Sequence, residues 1–192
     1  MSESRTRILV EIALTIALAA VLNALKIWRM PQGGTISLVM LPLFVLAVRR
    51  GLVAGLIAGA LYGVVDFLVD PFPPVHWAQY LLDYPVAYLM CGLAGVAAPA
   101  WRKAVAIGRQ ARAGWMSVIP AIALAAAARW GVHWLSGVVF FSAYAPEGQP
   151  VWLYSLVYNS YVPLSAVLCG AAALAVLPVL SRVVPVPGSR HA

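Results

Sequence analysis

Charged residues are scarce in this sequence. They make up 10% of its 192 positions, whereas an ordinary soluble domain carries about 25%. Hydrophobic residues make up 63%, so the composition excludes a soluble protein and indicates an integral membrane protein. Six spans of about 20 residues would use most of the chain and leave only short loops. We therefore expect one all-α transmembrane domain over residues 1–192, a six-helix bundle.

Cysteines and nucleotide-binding motifs are also nearly or wholly absent. The two cysteines, Cys91 and Cys169, each lie inside an apolar run without a second ligand nearby, which is typical of small core residues. No Gly-x4-Gly-Lys-Ser/Thr phosphate loop occurs, so any ATP hydrolysis must come from other chains. The net charge of +7 does not indicate nucleic-acid binding, because the basic residues are scattered between apolar segments.

Six apolar runs, separated by Gly, Pro and charged residues, predict the helices. The runs cover residues 8–27, 36–49, 52–69, 78–99, 115–140 and 154–181. The first resembles a signal peptide, but it continues past a possible cleavage site to Lys26, so we expect a retained span. The second is short for a full span and contains Pro42, so five spanning helices are the alternative.

The distribution of basic residues predicts the orientation of these helices. With a cytoplasmic N-terminus, ten basic residues fall in inside segments, and only Lys26 and Arg29 fall in outside segments. Because short loops follow the positive-inside rule, both termini are expected in the cytoplasm. Loops 28–35, 70–77 and 141–153 then face outward, and their aromatic, Pro and Gly residues suit a lid over a ligand. The ten inside residues are Arg5, Arg7, Arg49, Arg50, Arg102, Lys103, Arg109, Arg112, Arg182 and Arg190.

Polar side chains collect near the outer ends of four predicted helices. Such groups are costly in a bilayer, so each is a functional candidate. A proton or ion path would continue across the membrane, whereas these groups stop at one depth. The pattern therefore predicts a cup that takes up a small molecule from outside. The residues are Asp66, Asp83, Arg129, His133, Tyr154 and Asn159.

The fifth predicted helix carries four of its side chains along one face. Their spacing of i, i+4, i+7 and i+11 keeps Arg129, His133, Ser136 and Phe140 within a narrow stripe. Arg129 needs a counter-ion in this setting, and Asp66 or Asp83 is the expected partner.

Small residues form two further stripes. Gly51, Gly55, Gly59 and Gly63 follow an i, i+4 ladder, which predicts close helix packing. On the first helix Ala13 and Ala17, extended by Ala20 and Ala24, form a similar stripe. The second stripe serves either internal packing or contact with a partner membrane protein, and the sequence leaves both open.

Five segments in order resemble one family along nearly the whole chain. They are Met30-Pro-Gln-Gly-Gly-Thr-Ile-Ser-Leu38, Leu82-Asp-Tyr-Pro85, Arg129 through His133 to Gly137, Tyr144-Ala-Pro146 and Tyr154-Ser-Leu-Val-Tyr-Asn159. Together they are similar to the thiamine-specific S component of energy-coupling factor (ECF) transporters. The resemblance implies a vitamin-binding subunit in a prokaryotic plasma membrane. It also implies partnership with a transmembrane coupling protein and two cytoplasmic ATPases that use ATP, with no cofactor in this chain.

The resemblance also assigns roles to residues. It implies that substrate contacts come from Gln32, Gly33, Asp83, Tyr84, His133, Phe141, Tyr154 and Asn159. It implies that the loop with Met30, Pro31 and Gly34 is a gate, and that Ala13 and Ala17 dock the coupling protein. Two residues depart from the family pattern, since Asp83 replaces a longer Glu and Phe141 replaces Trp.

The residues suit thiamine chemically. Its aminopyrimidine matches a carboxylate and an amide, and its thiazolium cation matches aromatic faces. Other flat cations and heterocycles match as well, so an S component for another vitamin or for a thiamine precursor is the nearest alternative. An intramembrane hydrolase using Ser136 and His133 is a weaker alternative, because no oxyanion donor is evident. A purely structural membrane subunit would bind no ligand.

Overall fold

The fold is a bundle of six helices, as predicted. A computed structural model describes residues 5–185; Arg190 lies outside the described residues. The helices are α1 (Arg5–Ala24), α2 (Met40–Arg50), α3 (Leu52–Val69), α4 (Trp77–Ala106), α5 (Gln110–Phe140) and α6 (Val151–Val183). A two-stranded antiparallel hairpin, β1 (Trp28–Arg29) and β2 (Thr35–Ile36), connects α1 to α2. The sequence did not predict this hairpin.

Five of these helices, all except α2, are long and apolar enough to cross a bilayer. With 11 residues, α2 is about 16 Å long, roughly half of the hydrocarbon thickness. The irregular chain before it covers further depth along α6, where the Thr35 and Ser37 carbonyls accept hydrogen bonds from Ser165 Oγ (3.3 Å) and Cys169 Sγ (3.5 Å). Non-helical backbone is tolerated in a membrane when protein covers it, which reconciles six helices with five full spans.

Helix α4 is less regular than the prediction of one uniform helix over 78–99. It contains a π turn at Leu82–Val86 and a 3-10 stretch at Met90–Ala97. Pro85 lies inside the π turn and has no N–H to donate, so the α-helical ladder is interrupted there. The π turn carries Asp83 and Tyr84, two of the predicted site residues.

Close packing of α3 on α4 confirms the prediction from the glycine ladder. A Cβ atom at Gly55 would lie 2.7 Å from Ala47 Cβ and 3.0 Å from Gly92 Cα, and one at Gly59 would lie 2.8 Å from the Tyr88 carbonyl carbon. Gly51 has a different role, because it forms the turn between α2 and α3 with φ of +100°, a conformation that glycine adopts without strain.

Helix α1 is packed on one side only. Its buried residues are Ile12, Ala19 and Asn23, whereas Ala13 and Ala17 are exposed. Near its inner end an ion pair joins Glu11 to Arg50 of α2. The alanine stripe at positions 13 and 17 therefore faces away from the bundle and does not serve internal packing.

Candidate ligand-binding site

A cavity opens at the outer ends of the helices. Its volume is about 790 Å³ when the part open to solvent is included. All eight residues predicted to contact substrate line it, together with Gly34 of the predicted gate; Met30 and Pro31 do not. The eight are Gln32, Gly33, Asp83, Tyr84, His133, Phe141, Tyr154 and Asn159. The structure thus brings residues from the hairpin loop, α4, α5 and α6 around one space.

The acidic residue of the π turn faces the histidine of α5. Asp83 Oδ1 lies 3.3 Å from His133 Nδ1, and the imidazole is buried. On its other side the His133 ring lies 5.9 Å from the Tyr161 ring, centre to centre. This contact places a carboxylate and an imidazole together on the wall that α4 and α5 share.

Asn159 lies where α6 is interrupted, between its helical segments Val151–Tyr158 and Tyr161–Val183. Its Nδ2 donates to the Ser155 carbonyl at 2.9 Å and to the His133 carbonyl at 3.3 Å. Close approach of α5 and α6 here depends on Gly137, because a Cβ at that position would lie 2.9 Å from Ser155 Cβ. Since the amide nitrogen is committed to the protein, the carbonyl oxygen is the group that Asn159 offers to a ligand.

The predicted ion pair of Arg129 with Asp66 or Asp83 is wrong. The guanidinium carbon of Arg129 lies 3.9 Å from the centre of the Tyr88 ring. In the described part of the chain, no carboxylate lies within ion-pair distance of this guanidinium. Asp66 instead accepts hydrogen bonds from Asn23 (2.7 Å) and from a tyrosine hydroxyl one turn away on α3 (3.0 Å). An aromatic face stabilises a guanidinium directly, and Arg129 Nε also donates to His133 Nε2 at 3.5 Å.

The predicted stripe on α5 is only partly correct. Arg129 and His133 line the cavity, but the line continues through Gly137 and Phe141 rather than through Ser136 and Phe140. Ser136 is fully buried, and its hydroxyl has no hydrogen-bond partner among the described residues. Phe140 stacks on His76, with ring centres 5.9 Å apart.

Several cavity residues were not predicted as site residues, most of them aromatic or amide side chains. Tyr158 and Tyr161 follow Tyr154 at i+4 and i+7, so the aromatic stripe at the start of α6 was the available signal. Asn23 is an isolated amide in an otherwise apolar outer half of α1, which was also a usable signal. The unpredicted lining residues are Asn23, Thr35, Asp70, Phe72, Gln79, Tyr88, Gly137, Ser155, Tyr158 and Tyr161.

The hairpin loop closes over one side of the cavity. The Gln32 amide donates to the Tyr158 hydroxyl at 2.8 Å, and the Tyr154 hydroxyl donates to Gln32 Oε1 at 3.4 Å. A second loop adds Phe72, whose ring is stacked with that of Phe141 at 6.2 Å between centres. The residues predicted as a gate therefore belong to a structured loop that α6 hydroxyls hold in place.

A family model described as thiamine transporter protein matches residues 9–184 of this chain. The chain belongs to the thiamine transporter protein family. It is 38% identical to the thiamine transporter ThiT of Bacillus subtilis (strain 168), over 88% of this chain and 90% of that protein. It is 34% identical to ThiT of Lacticaseibacillus paracasei, over 76% of this chain and 72% of that protein. The solved structure of ThiT from Listeria monocytogenes matches with a TM-score of 0.84 and 28% identity, covering 93% of this chain and 97% of that one.

Membership of the thiamine transporter protein family decides between the alternatives that the sequence left open. It indicates a transporter and not an enzyme, so the hydrolase hypothesis for Ser136 and His133 is wrong. Ser136 also lies outside the cavity lining. With five helices long enough to span a bilayer and bacterial relatives, this member of the family is a multi-pass protein of a prokaryotic cell membrane.

Proposed function

We propose that this chain is the substrate-binding subunit of an ECF transporter and that it captures thiamine in the outer cavity. The observation that carries the proposal is the meeting of a carboxylate, an amide carbonyl and several aromatic faces in one outward-facing space. Membership of the thiamine transporter protein family and the names of the relatives support it.

The aminopyrimidine half of thiamine fits the wall between α4, α5 and α6. Asp83 accepts a hydrogen bond from the exocyclic amino group, and the side-chain carbonyl oxygen of Asn159 is a second acceptor on the same wall. His133 holds the carboxylate in position, since the two groups are 3.3 Å apart. Tyr84, also in the π turn, supplies an aromatic surface beside the ring.

The thiazolium half carries a permanent positive charge, which favours aromatic faces. Phe141 supplies such a face, and a second aromatic ring, that of Phe72, lies parallel to it within 22°. Phe binds a cation less strongly than Trp does. A second ring on the same side of the cavity compensates for the smaller one.

Energy for transport comes from partner subunits, because the sequence has no phosphate loop. We propose that Ala13 and Ala17, exposed on α1, dock a transmembrane coupling subunit that works with two cytoplasmic ATPases. Small residues let helix backbones approach closely in a membrane. Reorientation of the loaded subunit by the coupling module then exposes the cavity to the cytoplasm, a form of alternating access.

Titration of thiamine into the detergent-purified chain tests the proposal. Trp134 and Trp152 lie at the outer end, where Trp134 Nε1 donates to the Trp152 carbonyl at 3.0 Å, so we expect a saturable change in tryptophan fluorescence and a matching calorimetric signal. Competition with the separate pyrimidine and thiazole moieties tests the identity of the ligand. Tighter binding of either fragment than of thiamine would assign the site to a thiamine precursor, and no saturable binding would remove the proposal.

A further inference from the structure

The cytoplasmic connection between α4 and α5 carries cations that no carboxylate neutralises. Lys103, Arg109 and Arg112 are exposed, and none has a carboxylate partner in the part of the chain that the structure describes. The sequence holds no Asp or Glu between Asp83 and Glu147. Both of those acids belong to the outer half of the protein, so this inner surface has charge of one sign.

Three other arginines at the inner end are already engaged. Arg50 is paired with Glu11, and Arg49 donates to the Val184 carbonyl at 3.2 Å. Arg102 donates to the Arg50 carbonyl at 2.8 Å and so closes the end of α2. Positive-inside topology explains why basic residues are present, but it does not require that three exposed cations without a carboxylate partner fall within residues 103–112.

The connection that carries these cations is short. Helix α4 ends at Ala106, and Gly108 takes a φ of +68°. The Arg109 amide then donates to the Ala104 carbonyl at 2.8 Å. Helix α5 begins at the next residue, so Lys103 and Arg112 flank a connection of three residues.

Large apolar side chains lie beside the cations and are exposed at the protein surface. Trp115 is 73% exposed, Met116 65% and Ile107 56%. Trp115 and Met116 lie in a π turn at Gly114–Val118, and Arg112 Nε lies 3.3 Å from Met116 Sδ. An exposed tryptophan next to basic residues is typical of the membrane interface, where its ring lies at the level of the lipid headgroups.

We propose that this surface, the α4–α5 basic turn (Lys103, Ile107, Arg109, Arg112, Trp115 and Met116), binds an anionic phospholipid of the inner leaflet. The arginine forks and the lysine hold the headgroup phosphate. Trp115 and Met116 lie against the upper part of the acyl chains. The proposal concerns a surface at the opposite end of the molecule from the thiamine cavity and does not depend on the ligand of that cavity.

Native mass spectrometry of the purified chain tests the proposal, with micelles that contain dioleoyl phosphatidylglycerol or dioleoyl phosphatidylcholine. We expect preferential retention of phosphatidylglycerol. A triple variant, Lys103→Gln/Arg109→Gln/Arg112→Gln, should weaken this retention by about tenfold or more, since it removes all three charged donors that would hold the headgroup phosphate. The matched control removes the same charge from other exposed inner residues, Arg5→Gln/Arg7→Gln/Arg182→Gln, and should change retention less than about twofold.

Quenching of Trp115 gives a second measurement. Phosphatidylglycerol with brominated acyl chains should quench part of the fluorescence of the native chain, and Trp115→Phe should remove that part. Glycerol phosphate, which has the headgroup without the chains, should not compete. Equal loss of retention in the two triple variants would overturn the proposal in favour of a general charge effect. Unchanged lipid retention with lost binding of the coupling and ATPase subunits would assign the surface to a protein partner instead.

Discussion

Asp83 and His133 form the polar contact on which the proposed recognition of the pyrimidine depends. The short side chain of Asp83 still spans the gap between α4 and α5, because its oxygen lies 3.3 Å from the imidazole nitrogen. Its position in the π turn at Leu82–Val86 agrees with the frequent occurrence of such turns at functional sites. The carboxylate is thus positioned before any ligand arrives, which lowers the cost of ordering it on binding.

Replacement of Asp83 by Asn should weaken thiamine binding by about 1 to 3 kcal/mol, because a neutral amide is a poorer acceptor for the amino group and leaves His133 without its charged partner. Calorimetry on the purified variant measures this. Glu147→Gln is the control, since Glu147 is exposed in an outer loop and does not line the cavity. Equal affinity of the Asp83→Asn variant and the native chain would place the pyrimidine elsewhere.

Asn159 allows a sharper comparison, because its two amide atoms have different tasks. Asn159→Ala should lose about 1 to 3 kcal/mol of binding free energy through the missing acceptor. In the native chain the backbone carbonyls of Ser155 and His133 accept the amide N–H groups of Asn159. Asn159→Asp keeps the acceptor for the ligand but turns a second oxygen toward these two carbonyls. We therefore expect a lower unfolding temperature for Asn159→Asp than for Asn159→Ala. The opposite order would mean that the amide is turned the other way.

At the residue scale, part of the lining of the cavity could be predicted from the sequence, but the partner of one buried cation could not. Every residue that the family resemblance assigned to substrate contact lines the cavity. Four of them, Asp83, His133, Tyr154 and Asn159, had also been placed at the outer ends of helices from hydropathy and charge. The partner of Arg129 could not be predicted. Pairing by charge suggested Asp66 or Asp83, whereas the guanidinium lies over the aromatic ring of Tyr88, and that depends on how α4 and α5 are rotated relative to each other.

At the scale of helices, hydropathy predicted the number of elements and their approximate bounds but not their irregularities. The π turn around Pro85 and the 3-10 stretch at Met90–Ala97 lie within an apolar run that resembles an ordinary helix. The 3-10 stretch packs closely on α3, where a Cβ at Gly95 would lie 2.7 Å from Leu52 Cα. Backbone contact of this kind leaves no trace in hydrophobic periodicity.

The glycine seam between α3 and α4 should be intolerant of a single methyl group. In Gly59→Ala the new Cβ would meet the Tyr88 carbonyl group, so the helices must separate, and overpacking of this kind costs about 1 to 3 kcal/mol. Thermal unfolding in detergent measures the loss. Gly131→Ala on α5 is the matched control, because nothing lies within 4 Å of its new Cβ and alanine favours a helix by about 1 kcal/mol over glycine. Equal unfolding temperatures of the Gly59→Ala variant and the native chain would show that α3 and α4 accommodate the methyl group.

The hairpin loop should control how fast ligand leaves. Tyr158→Phe removes the hydroxyl that accepts from the Gln32 amide at 2.8 Å, a bond that contributes about 0.5 to 1.5 kcal/mol. We expect a dissociation rate of thiamine about threefold to tenfold higher in stopped-flow fluorescence, with a nearly unchanged association rate. Tyr144→Phe, at an exposed ring outside the cavity lining, should leave both rates as they are. A slower association with normal dissociation would contradict a role of this bond in retention.

For the whole molecule, one polar contact holds α1 near its inner end and another holds the chain just beyond its outer end, while one long face of the helix is left open. Glu11 pairs with Arg50 at the inner end, and Lys26 pairs with Asp70 at 2.5 Å at the outer end. Between them Ala13 and Ala17 are exposed. A helix fixed at both ends presents this small-residue face in a defined orientation, which suits contact with another membrane helix.

Bulky residues on that face should separate capture from transport. Ala13→Leu/Ala17→Leu leaves the cavity unchanged, so thiamine affinity in detergent should stay within about twofold of that of the native chain. Binding to the coupling subunit should fall by about tenfold or more, because the helices of the two subunits can no longer approach closely. Co-purification with that subunit and uptake of labelled thiamine by vesicles that hold the full complex are the measurements. Ala171→Leu, at an exposed position of α6, is the matched control and should retain both assembly and uptake. Normal assembly in the α1 variant would place the docking surface on another helix. Loss of thiamine affinity in the same variant would mean that α1 shapes the cavity. The contact through which it could do so is that of Asn23, which donates to Asp66 at 2.7 Å.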